Sequence, residues 1–506
     1  MPKKPVIIFL LLFFMLGGLF LRLRWWPEYL SFGFEQANDA VTSANIYLQK
    51  NLTLLGPMTE VEGIFHSPIY YYIVGLIYFL FGKNPAWVSL FIILVNLTCI
   101  PIIYFVGKKV FNKNVGLISA AIFTVSYEVI SYSLWIANVS LALPFIILTF
   151  YFFYKSFKEN QKYLPGAFFL FSLAVCFELV VFINIFSILT LYFLYHKEKI
   201  RLKTFFLSIT AFVIPLITYP VFEIKNNFLI THNLLKMLNS QDAEFKSIFN
   251  YLFSYLEGLS KEFANLFFPI HGFFAGLLMI GLFIFLLSKL RKKNYSQSPW
   301  FFAFIWLLAA LPTFLFNAAI TNSQYAFMGI NAPFSLLMAA LINELLTKKR
   351  TLLAGLLIFL VLAGNLRAWN DYLGDPKRKL FDSQRGVILK DTLAVVDYTY
   401  TQSAGKQFYV NSVTRPLFVS KLWGYLYSWH GQEKYGYLPS NDSQSPLQYL
   451  VIESGGDDST FEIYKQKMID ELNRKSTVEE KKQFGLITVE KRRFFGHNPD
   501  ISRLNP

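Results

Sequence analysis

Residues 89–158 read SLFIILVNLTCIPIIYFVGKKVFNKNVGLISAAIFTVSYEVISYSLWIANVSLALPFIILTFYFFYKSFK. Three apolar runs, Ser89–Gly107, Val115–Leu134 and Val139–Tyr154, are separated or followed by short basic patches at Lys108/Lys109/Lys113 and Lys155/Lys158/Lys162. Each run approaches the roughly 20 apolar residues that carry a helix across a bilayer core. Composition excludes a soluble core as the explanation. The 506-residue chain is 54% hydrophobic and 18% aromatic but only 16% charged, whereas a soluble domain is about 45–50% apolar and about 25% charged. The two cysteines, Cys99 and Cys176, sit in apolar runs without metal-ligand spacing, which argues against a disulfide framework or a cysteine metal site.

The pattern extends in both directions. Val6–Leu21 precedes these runs, and Leu164–Phe177, Val180–Tyr195, Thr204–Phe222, Ile270–Leu287, Trp300–Phe316, Tyr325–Leu345 and Leu352–Leu366 follow them. The first run comes after Lys3 and Lys4 with no small-residue cleavage site nearby, so it reads as a retained signal-anchor. Pro68–Phe81 is also apolar but short. Further basic clusters occur at Lys197/Lys199/Arg201/Lys203, Lys289/Arg291/Lys292/Lys293 and Lys348/Lys349/Arg350. Cytoplasmic loops carry the excess of Lys and Arg. All the clusters fall on that side only if Pro68–Phe81 does not cross the membrane and Leu164–Tyr195 makes two short spans that turn near Glu178. Arg22 and Arg24, just beyond the first run, oppose this orientation and are outnumbered.

The expectation is therefore a mainly α, polytopic transmembrane helical bundle of about 11 spans. Its N-terminus is cytoplasmic, and juxtamembrane helices lie on its outer face. Residues 1–369 form the membrane domain, with a first outer loop over 22–88 and a second over 223–269. Residues 370–506 form a small extracytoplasmic α/β domain. Strand character falls on Lys406–Val413, Gln448–Glu453 and Phe484–Glu490, and helix character on Thr392–Thr401 and Phe461–Asn473. The net charge of +15 resides mostly in short clusters between apolar runs, which points to membrane orientation and not to nucleic acid. No P-loop, GxGxxG, HExxH or GxSxG motif occurs.

The first outer loop holds the informative residues: Phe32-Gly-Phe-Glu35-Gln-Ala-Asn-Asp39-Ala, then Gly63-Ile-Phe-His66-Ser-Pro68-Ile-Tyr70. Glu35 and Asp39 are four apart, so a helix projects both carboxylates from one face. Ala40, Ala44 and Ile46 make that helix amphipathic. Glu128 and Glu178 lie in or at the edge of apolar runs, where an uncompensated carboxylate costs about 2.5 kcal/mol or more. A cavity in the bundle would explain both; a wet helix end is the plain alternative.

This arrangement resembles the C-type, lipid-phosphosugar-dependent glycosyltransferases, nearest to the protein O-mannosyltransferases and the lipid A aminoarabinose transferases. The likeness is strongest over about Phe32 to Phe123, with echoes in Ser133–Pro144 and Tyr325–Pro333. It implies a polyprenyl-phosphate-linked sugar as donor and a glycan, lipid or protein as acceptor, on the outer face of a cell membrane. Asp39 falls where the family's catalytic Asp is expected. Ala40 stands where the family has Glu, and Glu35 is the carboxylate one turn away. Asp39 is then the base that takes the acceptor proton, or a ligand to a divalent metal ion. His66, Tyr325 and Asn138, near outer span ends, are candidates for the donor phosphate; an interfacial histidine and a belt tyrosine are the plain readings of the first two. A flippase or transporter of lipid-linked sugars predicts internal repeats, and none is seen. A polysaccharide polymerase or ligase is expected to place its key residues in a late outer loop. A mere membrane scaffold for the tail leaves the intramembrane acids unexplained.

Overall fold

The structure is a computed structural model that describes residues 3–59, 61–195, 200–239, 248–269, 272–291, 298–312, 324–372, 387–417, 419–454 and 459–495. Lys197, Lys199, Lys292 and Lys293 of the basic clusters lie outside the described residues.

The chain is mainly helical. In order, the helices of the apolar part are α1 Lys4–Leu23, α2 Phe34–Leu48, α3 Ile69–Phe81, α4 Pro85–Leu97, α5 Cys99–Val110, α6 Lys113–Val125, α7 Tyr127–Ser133, α8 Ala142–Lys158, α9 Leu164–Phe177, α10 Ile185–Tyr195, α11 Leu202–Leu216 and α12 Thr218–Lys225. There follow α13 Leu229–Asn239, α14 Ile248–Phe267, α15 Gly272–Leu290, α16 Pro299–Leu307, α17 Asn331–Thr347 and α18 Thr351–Tyr372. Among the described residues, five stretches are long and apolar enough to cross a membrane, and seven if each of two bent helix pairs makes one span. The chain is a multi-pass membrane protein of the helical class. Helix α3 has 13 residues and at 1.5 Å per residue extends about 20 Å, short of the roughly 30 Å hydrocarbon core.

The chain folds as two compact units. The first contains residues 1–24, 52–72 and 90–371; the second contains residues 25–51, 73–89 and 372–506.

Small residues and buried amides hold the first unit together. Helices α5 and α6 approach at Gly107 and Gly116, where a Cβ on Gly116 would stand 2.5 Å from the Tyr104 carbonyl oxygen. Small interfacial residues permit such approach in membranes, where helix packing has little hydrophobic drive. Helices α6 and α7 meet at 61°. The break frees the Tyr127 N–H, and the buried Asn365 of α18 accepts it at 2.7 Å. The Asn365 amide in turn donates to the carbonyls of Leu266 (3.0 Å) and Val361 (2.9 Å). A kink at membrane depth is tolerated only where the freed backbone finds such partners. Arg22 is not a loop charge: it lies within α1, fully buried. Its Nε donates to Ser133 Oγ at 2.9 Å and its Nη1 to the Gly18 carbonyl at 2.9 Å. This arginine, which opposed the orientation rule, is thus spent on packing.

The second unit joins the tail to part of the first loop. Its sheet has the order β1-β2-β4-β3, from β1 Tyr409–Val413, β2 Gln448–Glu453, β3 Ser476–Phe484 and β4 Ile487–Phe494. Strands β1 and β2 run parallel, with Tyr409 opposite Gln448, and the other pairs are antiparallel. It also contains helices α19 Leu389–Ser403, α20 Lys421–Leu426 and α21 Ser459–Lys475. Val413, Leu450, Ile452, Phe461, Met468 and Leu472 form one apolar core between α21 and the sheet. Where the sequence suggests one last strand over Phe484–Glu490, the chain makes a hairpin: Gly485 turns with φ +55° between β3 and β4.

Candidate functional site

Helix α2 starts after Gly33, whose N–H is accepted by Gln36 Oε1 at 3.0 Å. Glu35 in the first turn favours the positive end of the helix dipole. The buried stripe is Gln36, Ala37, Ala40, Ser43 and Ile46, while Glu35 is exposed and Asp39 half-buried. The amphipathic helix expected from the sequence therefore forms, with its two acids beside the buried stripe. Within the second unit, helix α3 and the tail pack on α2. Helix α3 comes close at Gly75, where a Cβ would stand 2.3 Å from the Ser43 carbonyl oxygen, and the Tyr47 and Phe79 rings stack with centroids 5.8 Å apart.

The tail also holds α2. Lys421 of α20 donates to Asn38 Oδ1 at 2.6 Å, and Phe32 packs on Tyr425 with ring centroids 5.3 Å apart. The Tyr425 hydroxyl donates to the Lys83 carbonyl. Backbone bonds from Leu389 N–H to Leu30 O (2.8 Å) and from Lys390 N–H to Glu28 O (2.9 Å) join the chain before α2 to the start of α19. Burial pushes the Tyr78 phenol well above its ordinary range; the Tyr425 hydrogen bond opposes this and the nearby Asp39 charge adds to it. The tail is thus part of the scaffold that fixes the Asp39 helix.

The remaining candidates belong to the first unit. His66 is buried in a turn closed by Gly56 N–H to His66 O (2.8 Å) and His66 N–H to Pro57 O (2.8 Å). Gly56 is needed there, since a Cβ would lie 2.2 Å from the Ser67 carbonyl oxygen. Burial lowers the His66 pKa to about 4, so its ring is neutral at pH 7 and offers no positive charge to a phosphate. Asn138 donates to the Phe177 carbonyl at 2.6 Å and ties a short 3-10 turn, Asn138–Leu141, to the end of α9. Glu178 is buried, and its Oε1 accepts the Val180 N–H at 3.3 Å as cap of the 3-10 turn Leu179–Asn184. It is not a wet helix end. Tyr325 packs against Trp135 with ring centroids 5.7 Å apart.

Glu128 and Glu178 are both close enough to the buried Tyr132 to act on it electrostatically. The charges of Glu262, Glu128 and Glu178, with the Tyr325 phenol, all act on the buried Tyr132 of α7. Glu262 is the residue that sequence reasoning misses. Its signal is there: in α14, Tyr255, Leu259, Glu262, Phe263 and Leu266 are buried on one stripe, and a carboxylate on the apolar face of an amphipathic helix is anomalous. Among the described residues, no group of three or more His, Cys, Asp and Glu side chains is arranged to hold a metal ion.

Residues 65–222 match the family described as dolichyl-phosphate-mannose-protein mannosyltransferase. No curated protein matches the chain by sequence. Among solved structures, ArnT from Cupriavidus metallidurans with undecaprenyl phosphate superposes with a TM-score of 0.54 at 10% identity, covering 97% of this chain and 98% of that one. The apo form of the same protein gives a TM-score of 0.56 at 10% identity, with 96% and 97% covered. The chain has the fold of ArnT. At 10% identity what the two chains share is the fold, over 97% of this one.

Proposed function

We propose that this protein is a membrane glycosyltransferase that takes a sugar from a polyprenyl-phosphate donor and attaches it to an acceptor hydroxyl at the outer face of the membrane. The observation that carries the reading is the acidic helix α2 of the first loop, built into one unit with the tail in a chain with the fold of ArnT, which was crystallised with undecaprenyl phosphate. The mannosyltransferase family match over residues 65–222 supports the same class of donor.

The chemistry is displacement at the anomeric carbon. The acceptor oxygen forms the new glycosidic bond, the bond from that carbon to the phosphate oxygen breaks, and the lipid phosphate leaves with the electron pair. A hydroxyl is a poor nucleophile until a base within about 3 Å takes its proton. Asp39, half-buried on α2, is assigned that role, and the exposed Glu35 one turn earlier orients it. The leaving phosphate requires donors or cations. A neutral His66 can act toward it only as a hydrogen-bond donor, and Asn138 offers it the N–H that the Phe177 carbonyl does not take.

The experiment is incubation of the full-length protein in nanodiscs with a panel of polyprenyl-phosphate sugars and membrane acceptors. Release of free lipid phosphate that depends on both protein and acceptor supports the reading. Movement of intact donor across the bilayer without release would show a transporter instead.

A further inference from the structure

Strand β2 is buried along its whole length and ends on a carboxylate, Glu453, which is 4% exposed. A charge in such a place costs free energy unless it is hydrogen-bonded, and both of its oxygens are used. Oε2 accepts the Arg415 N–H at 3.0 Å, just beyond the end of β1. Oε1 accepts the indole Nε1–H of Trp423 at 3.0 Å. Trp423 is 2% exposed and lies in the middle of α20. The link from β1 to α20 is drawn in by Thr414, whose hydroxyl lies 2.8 Å from the Pro416 carbonyl oxygen and 2.9 Å from that of Val419. Glu453 thus ties together the ends of two parallel strands and the helix that follows the first of them.

Helix α20 has two working faces. Lys421 and Tyr425 are four apart and share one face, while Trp423, two positions from each, lies on the opposite one. The Lys421–Tyr425 face meets the acidic helix α2. Lys421 Nζ donates to Asn38 and lies 5.9 Å from the centre of the Phe34 ring. Tyr425 packs on Phe32 and donates to the Lys83 carbonyl. Asn38 is the residue before Asp39. Past α20 the chain makes a π-helical turn over Tyr427–Gly431. It is then fastened to Asp397 of α19 by His430 (2.8 Å), Lys434 (2.9 Å) and Tyr435 (3.0 Å). That second tie holds the far end; the Glu453 tie acts at the turn that grips α2. All of these residues belong to the second unit.

We propose that Glu453 is a positioning residue for Asp39: by holding Trp423 it fixes the depth and rotation of α20, and α20 in turn fixes α2. This role rests on Asp39 being the base. Where the tie is lost, the Trp423 indole is a buried donor without an acceptor, and α20 moves until it finds one. The Lys421–Tyr425 face moves with it and carries Asn38 along. A reacting group displaced by about 1 Å loses up to about 10²-fold in rate. Glu453 acts through α20 and not on the substrate.

The test uses the full-length protein in nanodiscs at pH 8, where the Glu453 carboxyl, raised by burial to about 7, is ionised. Glu453→Gln keeps one acceptor oxygen for two donors, so one tie is lost whichever way the amide turns. Hydrogen exchange of peptides covering 34–48 should speed up by about three- to tenfold. Lipid-phosphate release should fall by about 10- to 100-fold with donor affinity retained. Trp423→Phe removes the indole N–H and keeps an aromatic ring; it should move both readouts the same way by a smaller factor, and it decides the question if Glu453→Gln does not fold. Lys421→Met breaks the grip on α2 itself. Combined with Glu453→Gln it should lower turnover by much less than the product of the two single effects. A role in tail stability alone would lower the melting temperature and leave exchange over 34–48 and turnover per folded molecule at wild-type values. That result would overturn the inference, as would effects that multiply in the double variant. If the wild type releases lipid phosphate from no donor, the proposed reaction fails, whereas faster exchange over 34–48 in the folded variants still supports the tie from Glu453 to α2.

Discussion

At the residue scale, the two acids of the first loop are unequal. Asp39 is half-buried beside the covered stripe of α2, while Glu35 is exposed. A base needs a fixed position more than a solvated orienting group does. Glu35→Gln should therefore lower turnover by much less than Asp39→Asn, and lipid-phosphate release measured in parallel on the two variants checks this. Equal losses would place both carboxylates in the reaction. His66 gives a prediction of the opposite kind. Its ring stays neutral down to about pH 4 because it is buried, although an ordinary histidine titrates near 6.5. His66→Gln should leave the shape of the pH–rate profile between about pH 5 and 8 unchanged. Loss of an inflection in that window would mean that the ring titrates in the reaction cycle.

At the scale of elements, α5 and α6 make a backbone-close approach. Gly116→Ala would place a Cβ 2.5 Å from the Tyr104 carbonyl oxygen and should destabilise by about 1–3 kcal/mol, the usual cost of overpacking. Gly276 on α15 faces open space, so Gly276→Ala should hold or raise stability through helix propensity. Thermal unfolding of the two variants in the same detergent separates packing from propensity, and equal melting temperatures would contradict the tight α5–α6 contact.

The same scale shows what was legible in the sequence. Strand Gln448–Glu453 was readable at its observed bounds because all six residues are buried and apolar character dominates. Strand β3 was not. Ser476–Phe484 exposes seven of its nine residues and carries Glu479, Glu480, Lys481 and Lys482 together, so it has no alternation to read. Charged side chains on an edge strand guard against edge-to-edge pairing, and they also hide it. The α2 acids and the Glu128/Glu178 pair were visible as carboxylates out of place. Their tertiary company was not: Glu262 lies 134 positions beyond Glu128 in the chain, and only packing of α14 on α7 brings the two together.

At the scale of the whole molecule, short basic loops between apolar runs predict which side each segment faces. We expect residues 370–506 and the loop 223–269 outside, and the clusters at 197–203 and 348–350 inside. Cysteine labelling of intact cells tests this, and labelling of the 197–203 loop from outside would contradict it. The burial of Arg22 within α1 weakens the one local cluster that argued for the reverse. The second unit adds a consequence for the tail. Because Lys421 and Tyr425 bond to Asn38 and Lys83, removal of residues 387–495 should abolish turnover even where the membrane helices still insert.

The central claim is that Asp39 takes the acceptor proton as sugar leaves a polyprenyl phosphate. The most direct measurement is the rate of lipid-phosphate release by wild type and Asp39→Asn, each in nanodiscs with saturating donor and acceptor, alongside donor binding. The account predicts a fall of about 10²–10⁴-fold in turnover, the contribution of general-base catalysis, with donor affinity largely retained. Full activity in the Asn variant would contradict it.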